Sequence, residues 1–444
     1  MAAEAEFLIY YQGGKCTIHS LCLKAGFKFV GYGRRTKEFG LRIMGKVEMI
    51  SPHIDSRVDN RDHGVAHTAE GSVCILTSAH APTDIRIFAK EARSLREAGY
   101  KVTLVALSDG AGGVKEGINV VTLPHPKNRL GRFLSGPRLL REALRTKARF
   151  YHFHDPDLLP IGAALKLFSR SRVIYDVHEH YPNAILHKYW IPSALRNSIA
   201  IVFQCIERLI VPMLDAVVYT TPIVGERYLR LSRRAVRIEN YPRIDAFPIQ
   251  NGTGRSRGVV FCGKVAPERG VEQLLDAVAL LDDHERPDVT FLGDFESDEY
   301  RESVMDRLHH LGLSAKVTIA APVSYKDLGT ALQDFRVGVV LYQPTPNNMS
   351  CLPNKLFEYM AAAIPVLASD FPLYREVIQA AECGVVVDPT QTVDIAAELR
   401  KMVKDDDIWR ERGLRGRQAF RSDFNWNKEG DRLVQLYSDL SVPS

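Results

Sequence analysis

Short buried strands alternate with amphipathic helices along this chain, in two successive blocks. The first block begins with SVCILTS at Ser72, continues through a helix over IRIFAKEARSLREAGY and returns in the strand KVTLVAL. In that helix Ile85, Phe88, Ala92 and Leu95 recur at helical spacing, which predicts one buried face. Strand–helix–strand units with short crossovers form parallel α/β sheets. The pattern therefore predicts a Rossmann-type α/β domain.

The second block repeats this alternation after a change of composition. The first block has further strands at INVVTL, FYHFHD, RVIYDVH, AVVYTT and VRIENYP, and the second has them at GVVFCGK, VTFLGD, VTIAA, VGVVLYQP, PVLASD and GVVVDP. Residues 243–257, rich in Gly, Pro and polar residues, read as a linker. We predict one Rossmann-like domain over 71–242 and another over 258–425, facing each other across a cleft. Ligands are expected in that cleft, at the carboxyl ends of the strands.

Composition restricts the class and the compartment. The chain has 444 residues, 45% of them hydrophobic, and a net charge of +5. It carries seven cysteines without a CxxC pair, so we expect buried thiols in a reduced, cytoplasmic protein. Glu4 and Glu6 stand where a signal peptide would carry basic residues, so we expect no secretion signal. The sequence has no uninterrupted span of about 20 apolar residues, so we predict no membrane helix. Residues 1–70 show no clear period, and we assign them no function.

The stretch from Met349 to Asp370 carries the strongest functional pattern. It predicts a polar loop, a helix beginning near Pro353–Asn354, and then the buried strand PVLAS. Exposed N–H groups at a helix start bind anions, and Glu358, one turn in, is placed to accept hydrogen bonds from sugar hydroxyls. The alternative is an ordinary strand–loop–helix connection of an α/β domain.

This segment resembles the nucleotide-sugar loop of the retaining glycosyltransferases of family 4 (glycosyl transferases group 1), which have the GT-B fold. Glu358 matches the second of the family's two signature glutamates, which binds the donor ribose, whereas Ser350 stands at the first. The family often aims that first carboxylate at the transferred sugar. PNK-FEYMAAG-P, the form used by one branch, is followed here except that Ala363 replaces the usual Gly. The resemblance implies that Gly293, Asn354, Lys355, Leu356 and Glu358 bind the donor.

The segment FCGKVAPERGVEQLL resembles the family motif whose two cations hold the donor diphosphate, here Lys264 and Arg269. A departing nucleoside diphosphate gains negative charge, which fixed cations stabilise.

YHFHDPDLLP predicts His152 and His154 on one face near a strand end. From the residues alone, they could be a structural pair in the sheet, a metal pair or a proton relay. It also resembles the family's H-x-H-D-P, which implies that His154 lies beside the sugar. Asp155 and Asp157 match the D-x-D metal motif of the GT-A fold, but that motif is common by chance, and we predict no metal site.

Two further segments imply residues of the cleft. VIYDVHEHYP resembles a family segment at the domain interface, which implies that His178 and Glu179 line the cleft. SAHAPTDIR resembles a variant of the first family loop, in which Asp84 and Arg86 are either a structural pair at the helix start or acceptor contacts. FNWNKEGDRLVQLYSDL predicts a final amphipathic helix, which we place at residues 426–444, and the resemblance implies that it crosses back onto the first domain.

A basic run extends from Lys127 to Arg149, with Glu142 as its only acidic residue. Such a run suits an anionic membrane surface or nucleic acid, and a solvated helix face is the alternative. Family members that act on lipid-linked acceptors often use a basic surface in this way. We therefore predict a peripheral membrane contact at the inner face of the cytoplasmic membrane, and no nucleic acid partner.

Together these patterns predict a metal-independent, retaining glycosyltransferase of polysaccharide or glycolipid biosynthesis. It would use a UDP- or GDP-linked sugar as co-substrate, with no other cofactor, and a glycan or lipid-linked acceptor. His154, Glu358, Lys264 and Arg269 are its predicted catalytic residues. The rivals are a nucleotide-sugar epimerase of GT-B fold, which acts without an acceptor, and a non-catalytic nucleotide-sugar binding protein.

Overall fold

A computed structural model describes residues 71–187, 191–248, 257–404 and 406–442 of the chain. The predicted extension 1–70 and most of the predicted linker lie outside the described residues. These described residues form one compact unit, and it contains two sheets. We call each sheet with its helices a lobe.

The first lobe is built on an eight-stranded sheet with the order β3-β4-β2-β1-β5-β6-β7-β8. All its strands are parallel except β3, which pairs antiparallel with β4. The strands are β1 Ser72–Thr77, β2 Lys101–Leu107, β3 Gly113–Lys115, β4 Ile118–Leu123, β5 Phe150–Phe153, β6 Arg172–Val177, β7 Ala216–Tyr219 and β8 Ala235–Arg237. The helices are a π-helical segment Ile85–Ala92 that continues into α1 Arg93–Glu97, then α2 Arg129–Leu134, α3 Gly136–Arg145, α4 Leu159–Phe168, α5 Tyr181–His187, α6 Ser193–Ile210 and α7 Pro222–Leu231, with short 3₁₀ turns at Pro156–Leu158, Val211–Met213 and Ile244–Ala246.

The second lobe is built on a six-stranded parallel sheet with the order β11-β10-β9-β12-β13-β14. This is the strand order of a classical Rossmann domain. The strands are β9 Arg257–Cys262, β10 Val289–Leu292, β11 Val317–Ala320, β12 Phe335–Val340, β13 Val366–Ser369 and β14 Gly384–Val387. The helices are α8 Val271–Ala279, α9 Asp298–His310, α10 Tyr325–Leu332, α11 Pro346–Ser350, α12 Asn354–Ala361, α13 Pro372–Ala381, α14 Thr392–Lys404, α15 Asp406–Ser422 and α16 Trp426–Ser441, and a 3₁₀ turn covers Pro267–Arg269.

Apolar clusters on both faces of each sheet hold the lobes together. β-Branched and aromatic side chains of the strands, such as Val73, Ile75 and Phe150, pack against the helices with almost no exposed surface. The last helix, α16, buries Trp426 and Tyr437 in the core of the first lobe, and Trp426 Nε1 donates to Ser94 Oγ over 2.8 Å. The predicted two-domain α/β fold with a returning C-terminal helix is therefore confirmed.

Strand order determines where each lobe offers a ligand site. In a doubly wound sheet the site lies at the carboxyl ends of the two strands where the winding reverses. These are β1 and β5 in the first lobe, and β9 and β12 in the second. The segments SAHAPTD and HDPD follow the first pair of strands, and GKVAPER and LYQPTPNNMS follow the second. The predicted functional motifs therefore lie at the positions that the topology favours.

Candidate functional site

The loop after β12 and the helix α12 form one wall of the site. The helix begins at Asn354 after Pro353, as predicted, and Pro353 has extended backbone angles that end the preceding loop. Ser350, at the position of the missing signature glutamate, turns its hydroxyl back into its own helix, where it donates to Pro346 O and Asn347 O. The Ser350 carbonyl accepts from Thr221 Oγ1 of the first lobe over 3.1 Å, so the two lobes touch at this point.

The buried Glu358 forms an ion pair with the half-buried Lys355 near the start of α12. Its side chain is 3% exposed, and Lys355 Nζ lies 2.8 Å from Glu358 Oε2. Burial by itself lowers the pKa of Lys355, but the Glu358 carboxylate outweighs it and the pKa is raised above the usual lysine range. The helix start therefore carries a fixed positive charge and a carboxylate, held together in a fixed geometry.

Arg269 and Lys264, the two cations that sequence analysis assigned to the diphosphate, contact different partners. Arg269 places its guanidinium over the Tyr342 ring, 5.3 Å from the ring centre. Lys264 is half-exposed and pairs with Glu296 over 3.4 Å. Sequence analysis assigned both residues to the diphosphate, and in this structure Arg269 lines a cavity with Tyr342 whereas the Lys264 ammonium points to Glu296.

Gly263, which sequence analysis did not single out, joins Arg269 to Lys355. It follows β9 with φ +111°, in the region that favours glycine. A Cβ added there would lie 3.0 Å from Lys355 Cε and 3.2 Å from an Arg269 guanidinium nitrogen. Gly293 packs directly against the Gly263 backbone, since a Cβ at Gly293 would lie 1.9 Å from the Gly263 carbonyl oxygen. Two cations thus flank a bare backbone position, as in an anion site.

Two cavities meet at the loop 351–354. The larger cavity, of about 760 Å³, lies in the second lobe, and its lining includes Arg269, Tyr342 and Asn348. The smaller cavity, of about 310 Å³, lies between the lobes. Its first-lobe lining is His80, Asp84, Ile85, Arg86, His178, Thr220, Thr221, Glu239, Asn240 and Tyr241. Cys351, Leu352 and Asn354 line both cavities. A ligand in one cavity would therefore lie next to a ligand in the other.

Three histidine rings are stacked one on another, from the wall of the smaller cavity into the core of the first lobe. His152 and His154 lie on the same face of β5 and its end, as predicted, with ring centres 5.0 Å apart. His154 then stacks on His178 at 5.3 Å, and His154 Nδ1 lies 3.2 Å from His178 Nε2. His178 lines the cavity, whereas His154 is fully buried behind it. The assignment of His154 to the transferred sugar stays a prediction, and in this structure His178 is the ring at the cavity wall.

Buried charges surround these rings. His154 Nε2 lies 3.2 Å from Glu91 Oε2, and His178 Nδ1 lies 3.2 Å from Asp176 Oδ1. Arg86 bridges the two acids, with Nε 2.9 Å from Glu91 Oε1 and an amino group 2.9 Å from Asp176 Oδ2. Burial would raise the pKa of Asp176, but Arg86 outweighs it and holds that pKa well below its usual range. Burial raises the pKa of Glu91 well above the usual carboxyl value.

The same cluster contains the ligand atoms that a metal ion would need. Glu91, His152 and His154 form one such group, and His154, Asp176 and His178 form another. The Arg86 guanidinium already supplies positive charge to both carboxylates, and a dication beside it would be repelled. Asp155 and Asp157 of the D-x-D sequence are also engaged: Asp155 accepts from Thr77 Oγ1, Ser78 N and Ala79 N, and Asp157 accepts from Ser78 Oγ. These contacts favour structural roles over metal binding, both for the histidine–carboxylate groups and for Asp155 and Asp157.

The remaining predicted cleft residues have defined contacts. Asp84 caps the following helix by accepting from Arg86 N and Ile87 N, as the structural alternative at the helix start predicts. Asp84 keeps its place on the cavity wall. Glu179 is half-buried, and its charge adds to burial in raising the pKa of the Cys351 thiol to about 11. Leu356 is fully buried, which leaves only its backbone for a donor.

Lys90 is a buried cation that sequence analysis missed. It lies on the first helix of the first lobe, and its Nζ donates to Asn240 O and Asn240 Oδ1 over 2.9 and 2.7 Å. Burial lowers the pKa of Lys90 to about 7, although the nearby Glu358 carboxylate opposes the shift. A charge of the first lobe therefore interacts with the carboxylate of α12. On a regular α-helix Lys90 falls opposite the predicted buried face, where a lysine is ordinarily solvated, so the sequence held no signal for it.

Acid is expected to destabilise the protein through the buried histidines. Burial lowers the pKa of His154 to about 4, against 6.5 in an unfolded chain. Between these two values the unfolded state binds a proton that the native state does not, so the free energy of unfolding falls as the pH falls from 6.5 to 4. The loss from His154 approaches about 3 kcal/mol. Denaturant unfolding of His154→Asn across this range should show a flatter pH dependence, whereas the exposed His309→Asn should match the wild type. Equal slopes in all three proteins would contradict the expectation.

Comparison with known protein families agrees with this geometry. Residues 245–419 match the family described as "Glycosyl transferases group 1", and residues 86–243 match "Glycosyl transferase 4-like domain". Among curated proteins, the alpha-D-kanosaminyltransferase of Streptomyces kanamyceticus is 23% identical over 186 residues, which cover 41% of this chain. The match spans 46% of that relative, less than half of its length.

Solved structures share the fold. The sucrose-phosphate synthase of Thermosynechococcus elongatus superposes with a TM-score of 0.67 at 18% identity, over 83% of this chain and 98% of that one. HepE of Anabaena, solved in complex with UDP-glucose, superposes with a TM-score of 0.63 at 14% identity, over 83% of this chain and all of that one. At these identities the likeness establishes the two-lobed architecture.

Proposed function

Because this chain belongs to the group 1 glycosyl transferases and has the GT-B fold, we propose that it transfers a sugar from a nucleoside diphosphate donor to an acceptor hydroxyl. The observation that carries the proposal is the meeting of the two cavities at the loop 351–354, with Arg269 and Lys355 at Gly263. The larger cavity would hold the nucleotide and the smaller one the acceptor. The transferred sugar would then lie near Asn354, which lines both.

The proposed chemistry follows from charge. As the bond from the sugar to the diphosphate breaks, negative charge develops on the leaving oxygen, and Arg269 and Lys355 stabilise it together with N–H groups at the start of α12. The acceptor oxygen forms the new bond from the same face of the sugar, and its proton passes to the leaving diphosphate. This retaining route needs no protein nucleophile. Glu358 would bind the ribose, and Lys264 would join the diphosphate if it exchanged Glu296 for the ligand.

We also propose that a metal ion is not needed for the reaction. A divalent cation in other transferases neutralises the diphosphate, and here two side-chain cations lie beside the bare Gly263 backbone.

The acceptor would be a glycan or a lipid-linked sugar in polysaccharide or glycolipid biosynthesis at the cytoplasmic side of the membrane. The basic run Lys127–Arg149 would contact an anionic membrane there, because its described helices α2 and α3 expose both cations and apolar side chains. No helix among the described residues is long and apolar enough to cross a membrane.

A donor screen tests the function. Thermal shift with UDP-, GDP- and ADP-sugars in buffer containing EDTA should identify one donor class that stabilises the protein, since a ligand of the native state raises its stability. That donor should be hydrolysed slowly in EDTA, and NMR of the released sugar should show the anomeric configuration of the donor. Stabilisation without hydrolysis or transfer would indicate a binding protein, and epimerised donor would indicate an epimerase. No stabilisation by any sugar nucleotide would contradict the proposal.

A further inference from the structure

The helix α6 exposes apolar side chains along its outer surface. Its buried side carries Ala200, Glu207 and Ile210, which face the core of the first lobe. Its other side exposes six large apolar residues to between 36% and 73%: Leu195, Ile199, Ile201, Val202, Ile206 and Leu209. Apolar surface of this extent on one helix marks an interaction site.

The exposed apolar surface continues on neighbouring helices. The helices α3, α4 and α6 pack side by side on one face of the first sheet. At the C-terminal end of α4, Leu167 and Phe168 are 68% and 74% exposed. On α2, which packs against α3, Leu130, Phe133 and Leu134 are 59% to 69% exposed. We call this surface of α2, α3, α4 and α6 the outer helical layer.

The charge of the outer helical layer has one sign. Between residues 124 and 210, every exposed charged side chain that the structure describes is basic: Lys127, Arg138, Arg141, Arg145, Lys147, Arg149, Arg170 and Arg208. The acids of this range are buried or half-buried. Glu142 pairs with Arg141 and Arg145, and Glu207 points to the inside of α6, where it binds Tyr228 and Arg227.

We propose that α6 lies in the headgroup region of an anionic lipid bilayer, with its exposed apolar side chains among the acyl chains and the cations of the outer helical layer on the lipid phosphates. A helix with an apolar side and flanking cations binds an anionic interface in this way. A second copy of the chain fits less well, because a two-fold interface would bring two surfaces of the same positive charge together. The proposed function already includes a membrane contact, and this inference rests on it for that contact alone. The inference adds that α6 is the apolar anchor of the contact.

Vesicle flotation of the full chain tests the anchor without any turnover. The wild type should float with vesicles of phosphatidylcholine mixed with phosphatidylglycerol, and much less with phosphatidylcholine alone. The triple variant Ile201→Gln, Val202→Gln, Leu209→Gln should lose binding to the anionic vesicles on the order of a hundredfold. Its matched control replaces three apolar residues of the second lobe that are also more than half exposed, Leu280→Gln, Val393→Gln and Leu414→Gln, and should bind like the wild type.

A second pair of variants tests the cations. Replacing Arg138, Arg141 and Arg145 by Gln should weaken binding to anionic vesicles about tenfold or more and make it less sensitive to salt. Replacing Lys326, Lys404 and Arg410 of the second lobe by Gln should change neither. A wild type that does not float, or an α6 triple variant that floats like it, would overturn the proposal.

Light scattering of the same proteins tests whether a second copy of the chain, and not a membrane, covers the outer helical layer. A wild type that is dimeric, with an α6 triple variant that is monomeric, would identify the surface as an interface between copies and would also overturn the proposal. Donor hydrolysis in the absence of lipid should be equal in the wild type and the α6 triple variant. If the wild type floats but turns over no donor, the proposed function fails while the membrane surface stands.

Discussion

Glu358→Gln is expected to abolish sugar transfer and to lower the stability of the protein at the same time. Glu358 is buried and pairs with Lys355 over 2.8 Å, at the helix start that faces the larger cavity. The neutral amide would leave the half-buried Lys355 without its counter-charge, which costs about 2 kcal/mol of unfolding free energy. Loss of the carboxylate and of the fixed lysine should reduce kcat/KM for the donor about 10³-fold. Denaturant unfolding and donor hydrolysis measure the two effects.

A double variant separates stability from function. Replacing the buried pair by apolar residues of similar size, Lys355→Met with Glu358→Leu, should recover most of the lost stability, because well-packed apolar residues often substitute for a buried ion pair without cost. It should stay as inactive as Glu358→Gln. Recovery of activity along with stability would indicate a structural pair, and full activity of Glu358→Gln would contradict the ribose assignment.

The fold could be predicted from the sequence because the strands are marked by their own composition. All six strands of the second sheet were expected at the segments where they occur, since each is a short apolar run that ends in Gly, Asp or Pro. The strand β3 was not expected. It is three residues long, begins with Gly113 and pairs antiparallel at the sheet edge, so it carries no hydrophobic run. Ile85 was expected in the buried face, but the chain winds as a π-helix over Ile85–Ala92, and its wider turn buries Ile87 instead.

The site was predictable only where a single segment carries the geometry. The start of α12 at Asn354 and the pair of histidines on β5 follow from local rules for helix starts and strand alternation. Contacts between segments distant in sequence do not follow from such rules. Lys90 with Asn240, Arg86 with Asp176, and Gly263 between Lys355 and Arg269 all depend on how the elements pack. For the same reason the burial of His154 behind His178 could not be read from the strand that contains it.

Arg269→Met is expected to remove most of the catalytic rate while leaving the fold intact. The Arg269 guanidinium stacks on Tyr342 and approaches Gly263, where a diphosphate would meet the backbone and Lys355. Methionine keeps the apolar contact with the ring and removes the charge. A fixed charge at a developing oxyanion contributes roughly 10²- to 10³-fold to the rate, so kcat for donor hydrolysis should fall by that factor. Arg269→Lys should recover part of the rate, because the charge returns without the planar stack.

Arg412→Met is the matched control, since Arg412 also stacks on an aromatic ring of the second lobe, 4.7 Å from the centre of Trp409. It donates to the Gly384 carbonyl and is not part of either cavity wall, so its loss should affect stability and leave kcat unchanged. If charge at Gly263 stabilises the departing diphosphate, only the Arg269 variant should also lose binding of the free nucleoside diphosphate. Equal effects of the two variants on kcat would mean that stacked arginines act through the fold, and the diphosphate would then have to be held elsewhere.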